Sequence, residues 1–195
     1  MTLENYLALE QASEVRHEYV NGELHPMSAV TQAHSLIVGN IVHRVWSVAR
    51  AAKCRVHRES FLVKVGNVVY YPDVMVACGA VSPKIRLEDA PSLIVEVLSP
   101  STERTDRGEK VMVYHRIPSL QTYLVVEQDR RVVDHHWRHE NQHWLCETLV
   151  DDGEVPLPLV DLTLTLDEIY DGVEIPSPEE RLRLRRLREE EAIYG

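Results

Sequence analysis

Apolar residues along this chain recur in two rhythms, and the change of rhythm marks the elements. From Thr31 to about Lys53 they fall at three- and four-residue steps: His34, Ile37, Val38, Ile41, Val45 and Val48. That spacing puts one apolar stripe on a helix. Elsewhere the rhythm is alternating or unbroken, as strands require. After a short opening helix, Thr2 to Gln11, the stretch from His17 to Met27 predicts a hairpin closed by Asn21-Gly22, a pair suited to a two-residue turn. Val56 to Val65 predicts a strand, Gly66-Asn67 a second turn, and Val68 to Cys78 the returning strand. Leu93 to Leu98 predicts the central buried strand, and the polar helix after it stops at about Arg116, before Pro118. Leu120 to Glu127 predicts a further strand, Arg131 to Arg138 and Trp144 to Val150 an antiparallel pair, and Asp167 to Tyr170 a short helix.

Two of the apolar runs each contain one carboxylate. Asp73 interrupts Tyr71-Pro72-Asp73-Val74-Met75-Val76, and Glu96 interrupts Leu93-Ile94-Val95-Glu96-Val97-Leu98. An unpaired buried charge costs several kcal/mol or more, so each acid must be paired, protonated or bound to a cation. Pro72 cannot donate to a ladder, which predicts an edge or a bulge that re-aims Asp73. On the following helix Asp106, Lys110, Val113 and Ile117 share one face by spacing, so Lys110 is expected on the side that packs against the sheet. Two acids on neighbouring strands, with the main-chain carbonyl of Val97, suit Mg²⁺ or Mn²⁺. Taken singly, Asp73, Glu96 and the Asp106–Lys110 pair each have an ordinary structural explanation. Their order along the chain favours a site. His34 is open between a core-edge histidine and a site residue. Glu18 and Glu23, on either side of the Asn21-Gly22 turn, are expected at exposed cross-strand positions.

Bulk properties narrow the field. A chain of 195 residues, 44% apolar and 27% charged, predicts one globular domain over 1–175 with a charged helical tail over 176–195. No membrane span is expected, nor a signal peptide at Met1-Thr2-Leu3-Glu4. Cys54, Cys78 and Cys146 are odd in number and far apart, which predicts free thiols in a reducing cytoplasm. A net charge of −10 argues against a broad grip on nucleic acid without a locally basic surface or metal ions. Two other stretches tempt. The histidine-rich His135–His143 string predicts a solvated hairpin, because strand positions four apart lie about 13 Å from each other. The Arg181–Arg188 run is flanked by glutamates, which cancel much of its field.

The order Pro72-Asp73, then Glu96-Val97-Leu98, then Lys110 resembles the PD-(D/E)XK nuclease superfamily with its lysine moved to the next helix. The longer string Leu93-Ile-Val-Glu-Val-Leu-Ser-Pro-Ser-Thr102, followed by Asp106-Arg-Gly-Glu-Lys110 and Tyr114, resembles the Uma2 family of that superfamily. The resemblance runs from the His17–Glu23 hairpin to Tyr170. It implies an α/β (α+β) restriction-endonuclease-like core, a mixed β-sheet flanked by helices. It implies a metal-dependent endonuclease acting on DNA, with Asp73, Glu96 and Lys110 catalytic, and Asp106, His34 and Tyr114 in support. An N-terminal acid, Glu18 or Glu23, joins them. A homodimer is also implied, since related nucleases pair to cut two strands. The usual lysine lies two residues after the glutamate, where this chain has Leu98, so Lys110 is the substitute. The alternative is a non-catalytic module that keeps the nuclease fold to bind nucleic acid or a protein partner.

Overall fold

The computed structural model describes residues 1–27, 30–79, 86–88, 90–99, 103–177, 179–184 and 186–187. Helix α1 (Leu3–Ala12) starts on Thr2, whose hydroxyl accepts from the Asn5 amide. Strands β1 (His17–Val20) and β2 (Glu23–Pro26) pair through Asn21 and Gly22, both with positive φ, as the predicted turn demands. Helix α2 (Gln32–Ala51) is capped by Thr31 and buries His34, Ile37, Val38, Ile41, Val45 and Ala49. Val48 packs only partly against that core.

The next segment corrects the expectation of two long strands. Val56–Val65 divides into β3 (Cys54–Arg58) and β4 (Leu62–Val65), and Val68–Cys78 into β5 (Val68–Tyr70) and β6 (Val74–Cys78). The inner pair β4–β5 closes on Gly66 and joins a five-stranded sheet, β2-β1-β5-β4-β7, with β7 at Leu87–Glu88. The outer pair β3–β6 joins a six-stranded sheet. One hairpin therefore spans two sheets, and both arms break at the crossing: Glu59-Ser60-Phe61 on one, Tyr71-Pro72-Asp73 on the other. The breaks touch, because the Glu59 amide donates to the Asp73 carbonyl at 3.3 Å.

Strand β8 (Pro91–Val97) is buried throughout and runs antiparallel to β6 and parallel to β9 (Thr122–Val126). The connection from β8 to β9 carries α3 (Glu103–Arg107) and α4 (Glu109–Tyr114), separated at Gly108, where one continuous helix was expected. Strands β10 (Val132–Arg138) and β11 (Trp144–Val150) complete the six-stranded sheet in the order β11-β10-β9-β8-β6-β3. A small pair, β12 (Glu154–Leu157) and β13 (Leu162–Thr165), leads into α5 (Leu166–Ile169), which is held by a Thr165–Glu168 capping box. Residues 179–184 and 186–187 of the tail are helical, and residues 188–195 lie outside the described residues.

Alternation along β8 decides which layer each residue meets. Leu93, Val95 and Val97 pack into the α2 core. Ile94 and Leu98 pack with Val113, Tyr114 and Ile117 on the other side. Glu96 lies between Ile94 and Leu98 in this alternation and so faces α4. The mixed sheet with helices on both faces is the expected architecture.

Cys54 and Cys78 are disulfide-bonded, which corrects the expectation of three free thiols. They are direct partners in the β3–β6 register, with Cα atoms 4.1 Å apart, so sheet pairing cancels their 24-residue separation. Cys146 is the free and exposed one. His135 is buried against Glu147 rather than solvated, another correction, while His139 and His143 are exposed. Among the described residues no helix is long and apolar enough to cross a membrane.

His115, just past α4, stacks flat on Trp144 with ring centroids 4.0 Å apart. Burial, reinforced by His136 and Arg138, pushes its pKa down to about 4. The unfolded chain therefore takes the proton first, below an ordinary histidine pKa of about 6.5. Stability is expected to fall as pH drops from about 6.5 towards about 4. His115's share is about 1 kcal/mol or less between pH 7 and pH 5, after discounting for its partial exposure. Urea unfolding of wild type and His115→Phe at the two pH values measures it, and identical differences for both proteins would refute it.

Candidate active site

The two interrupted strands lie side by side. Val74 pairs with Val95, so Asp73 and Glu96 stand opposite each other at the end of the β6–β8 ladder. Asp73 lies at the break that Pro72 makes, within reach of α2. Its Oδ2 accepts from the Val97 amide at 2.6 Å and sits 3.1 Å from His34 Nε2. Thr31, by capping α2, sets His34 in the first turn. Gln128 ties these elements together: its side-chain amide donates to the Leu98 carbonyl at 2.7 Å and its oxygen accepts from Thr31.

Glu96 faces the other layer. Its Oε1 accepts from the Tyr114 hydroxyl at 2.8 Å and from Lys110 Nζ at 3.1 Å. Lys110 also lies 2.9 Å from Glu18 Oε1 and 3.0 Å from Asp106 Oδ1. The Asp106 contact is an ion pair out of line for a hydrogen bond, since that oxygen has no hydrogen-bond partner among the described residues. Lys110 is 3% exposed, and its ammonium rests over the Tyr70 ring at 5.0 Å. The predicted Asp106–Lys110 face survives the break at Gly108. Arg107 ion-pairs with Glu127 and Asp134, and Tyr123 donates to the Asp106 carbonyl at 3.0 Å, so α3 is fastened to the sheet.

Charge is out of balance here. Three carboxylates surround one ammonium. Burial alone would depress the Lys110 pKa, but Glu96, Glu18 and Asp106 outweigh it and hold it well above the ordinary lysine value. Burial pushes Glu96 well above the usual carboxylate range; Lys110 opposes this, and Asp106, Asp73 and Glu18 add to it. For His34, burial works against the charged form, but the hydrogen bond and charge of Asp73 prevail and raise its pKa. These groups line one open cleft of about 330 Å³, walled on one side by β1–β2.

A divalent cation suits this donor set. His34, Glu59 and Asp73 each offer a ligand atom, all within 4.8 Å of one another. Among the described residues His34 Nδ1 is buried without a hydrogen-bond partner, while Nε2 is held by Asp73. Carboxylates favour Mg²⁺ and Mn²⁺, and the imidazole tilts the set towards the softer of the two.

Asp73, Glu96, Lys110, Asp106, His34 and Val97 thus meet at one cleft. Tyr114 stands behind it, bonded to Glu96, and Val97, expected to offer its carbonyl, gives its amide to Asp73. One expectation needs correction, and the choice between Glu18 and Glu23 falls to Glu18. Glu18 is not an exposed cross-strand residue: its β1 position directs it to Lys110, and its Oε1 also accepts from the Tyr71 amide at 3.4 Å. Glu23 pairs across the hairpin with Val20, is exposed and does not line the cleft. Glu59 was missed. Nothing in Arg58-Glu59-Ser60 marks a ligand, and only the hairpin's paired breaks bring it to Asp73.

A family model described as "Putative restriction endonuclease", Uma2, matches residues 3–167. The chain belongs to the Uma2 family. Its similarity extends to the uncharacterized protein slr1290 of Synechocystis sp. (strain ATCC 27184 / PCC 6803 / Kazusa), 30% identical over 173 residues, covering 87% of this chain and 91% of the relative. Protein sll1609 of the same organism is 27% identical over 167 residues, covering 78% and 89%. In fold, this Uma2 chain matches the crystal structure of "a putative nuclease belonging to DUF820" from Anabaena variabilis ATCC 29413. That match has a TM-score of 0.74 at 21% identity, covering 89% of this chain and 99% of that one. The restriction-endonuclease-like architecture is thereby established.

Proposed function

We propose that this protein is a metal-dependent endonuclease that hydrolyses phosphodiester bonds of DNA. The observation that carries the reading is the convergence of Asp73, Glu96 and Lys110, from a strand break, a strand and a helix, on one acidic cleft. Asp73 and Glu96, with His34 and Glu59 beside them, hold the cation. Bound there, Mg²⁺ or Mn²⁺ supplies a Lewis acid for the phosphoryl oxygens and a water of lowered pKa. Lys110 steadies negative charge that develops on the phosphoryl group, as a preorganised cation in a dry site can. Glu18 and Asp106 hold the ammonium in place, and the Tyr114 hydroxyl fixes the rotation of the Glu96 carboxylate.

Plasmid nicking with Mn²⁺ or Mg²⁺ tests the reading: cleavage is expected with either ion and none in excess chelator. Glu59→Gln is expected to weaken Mn²⁺ binding by at least roughly ten-fold in calorimetry, as loss of a ligand should. Leu98 at the usual lysine position, and the engagement of Lys110 by three carboxylates, favour one second reading, a non-catalytic nucleic-acid-binding module. Absence of nicking with either ion, with oligonucleotide binding retained, would select it.

A further inference from the structure

Charge is segregated along this acidic chain. Between Glu23 and Glu59 there are 35 residues without an aspartate or glutamate. They hold Arg44, Arg50, Lys53, Arg55, Arg58 and four histidines, while the remaining 160 residues hold all 31 acids against 16 of the 21 lysines and arginines. Most of this acid-free stretch is α2, the helix that sets His34 against Asp73.

The fold uses some of these cations internally. Arg44 ion-pairs with Glu168 of α5, and Arg55 with Glu88 of β7. Asn40 is held by the carbonyls of Ile169 and Asp171, so α5 covers the first half of the helix. The second half is open. His43, Trp46 and Arg50 follow at three- and four-residue steps on its outer face, with Lys53 just past its end, and all four are exposed. Trp46 is 49% exposed. Among the described residues neither Arg50 nor Lys53 has an acidic partner. Favourable placement at a helix C-terminus would account for Arg50 and Lys53. It accounts neither for an open tryptophan between His43 and Arg50 nor for the missing acids.

We propose that the outer face of α2 from His43 to Lys53 is a nucleic-acid docking surface, with Arg50 and Lys53 on phosphates and Trp46 stacked on a base. The inference rests on the nuclease reading and names how a substrate strand is held outside the cleft. Aromatic stacking beside cations is the chemistry of single-stranded nucleic-acid binding, and it tolerates any sequence because every base has a π-face. Trp46 lies twelve residues along α2 from His34, about 18 Å at the helical rise. A strand of roughly five nucleotides spans that distance. The surface favours strands with unpaired bases near the cleavage point over intact duplex.

The test is fluorescence anisotropy on the full chain carrying Asp73→Ala, without added metal, using a labelled single strand of about 20 nucleotides across a salt series. Arg50→Glu with Lys53→Glu is expected to weaken binding by roughly ten-fold or more and to lower the slope of log affinity against log salt by about 1.4, from two phosphate contacts. Trp46→Ala is expected to weaken binding roughly five-fold or more with the slope unchanged. Arg183→Glu with Arg186→Glu, an equal charge change on the tail, is expected to leave affinity as it was. Unchanged affinity in the α2 variants, or equal weakening by the tail variant, overturns the inference. Polyglutamate that competes with the same dependence on Arg50 and Lys53 but none on Trp46 overturns it in favour of an acidic protein partner. Failure of the nuclease reading appears separately, as absence of metal-dependent nicking by the wild-type chain.

Discussion

Asp73→Ala is expected to lower metal-dependent nicking by more than roughly 100-fold, because loss of outer-shell partners alone typically costs 10- to 100-fold and the proposed role of Asp73 is that of a ligand. The same substitution strips the Val97 amide of its acceptor at 2.6 Å and leaves His34 Nε2 facing nothing. Orphaning a buried donor costs about 1–3 kcal/mol, so the variant should also be less stable. Asp73→Asn separates the two effects. Its carbonyl can still accept from Val97, so its stability should lie within about 1 kcal/mol of wild type while nicking stays as low as with alanine. Parallel nicking and urea-unfolding measurements decide the matter. An Asn variant that folds normally and cuts at the wild-type rate would remove Asp73 from the chemistry.

Lys110→Met is expected to cost about 3–5 kcal/mol of stability, the usual penalty for removing one partner of a buried ion pair. Methionine fills much of the lysine's volume, so packing is nearly kept and the loss is mainly charge. Without the ammonium, Glu96 and Asp106, both nearly inaccessible, and Glu18 beside them face one another unscreened. The prediction is sharper as a cycle. Glu96→Gln combined with Lys110→Met should cost less than the two changes summed, by about 1–3 kcal/mol, because the second change removes a charge that the first left unpaired. A divalent ion that binds only the folded state should recover part of the loss in proportion to the logarithm of its concentration. Denaturant titration of the four proteins measures this. A Lys110→Met protein within about 1 kcal/mol of wild type would mean that the amine does not neutralise these acids.

The sheet's own logic explains how far a linear reading could go. Apolar spacing found α2, the His17–Pro26 hairpin, β8 and the β10–β11 pair, because each is declared by neighbours within a few residues. The carboxylates of Asp73 and Glu96 were conspicuous for a related reason: a charge inside an apolar run contradicts its surroundings and demands a partner. Lys110 could be assigned to the packed side of its helix from spacing alone, and the interruption at Gly108 left that face intact.

What lay beyond reach were facts about pairs distant in the chain. Glu59 became a candidate ligand because two breaks in one hairpin lie against each other where it passes between sheets. Cys54 met Cys78 through strand register, and Glu18 parted from Glu23 because β1 runs beside β5 while β2 forms the edge. Periodicity along a chain reports which face of an element seeks burial, since that preference belongs to the residue and its near neighbours. Which strand lies alongside, and which layer a side chain then enters, is settled by hydrogen-bond ladders and packing among segments far apart in sequence. The chain by itself thus determined that buried acids must find a cation, and the tertiary structure decided which side chains gather around one.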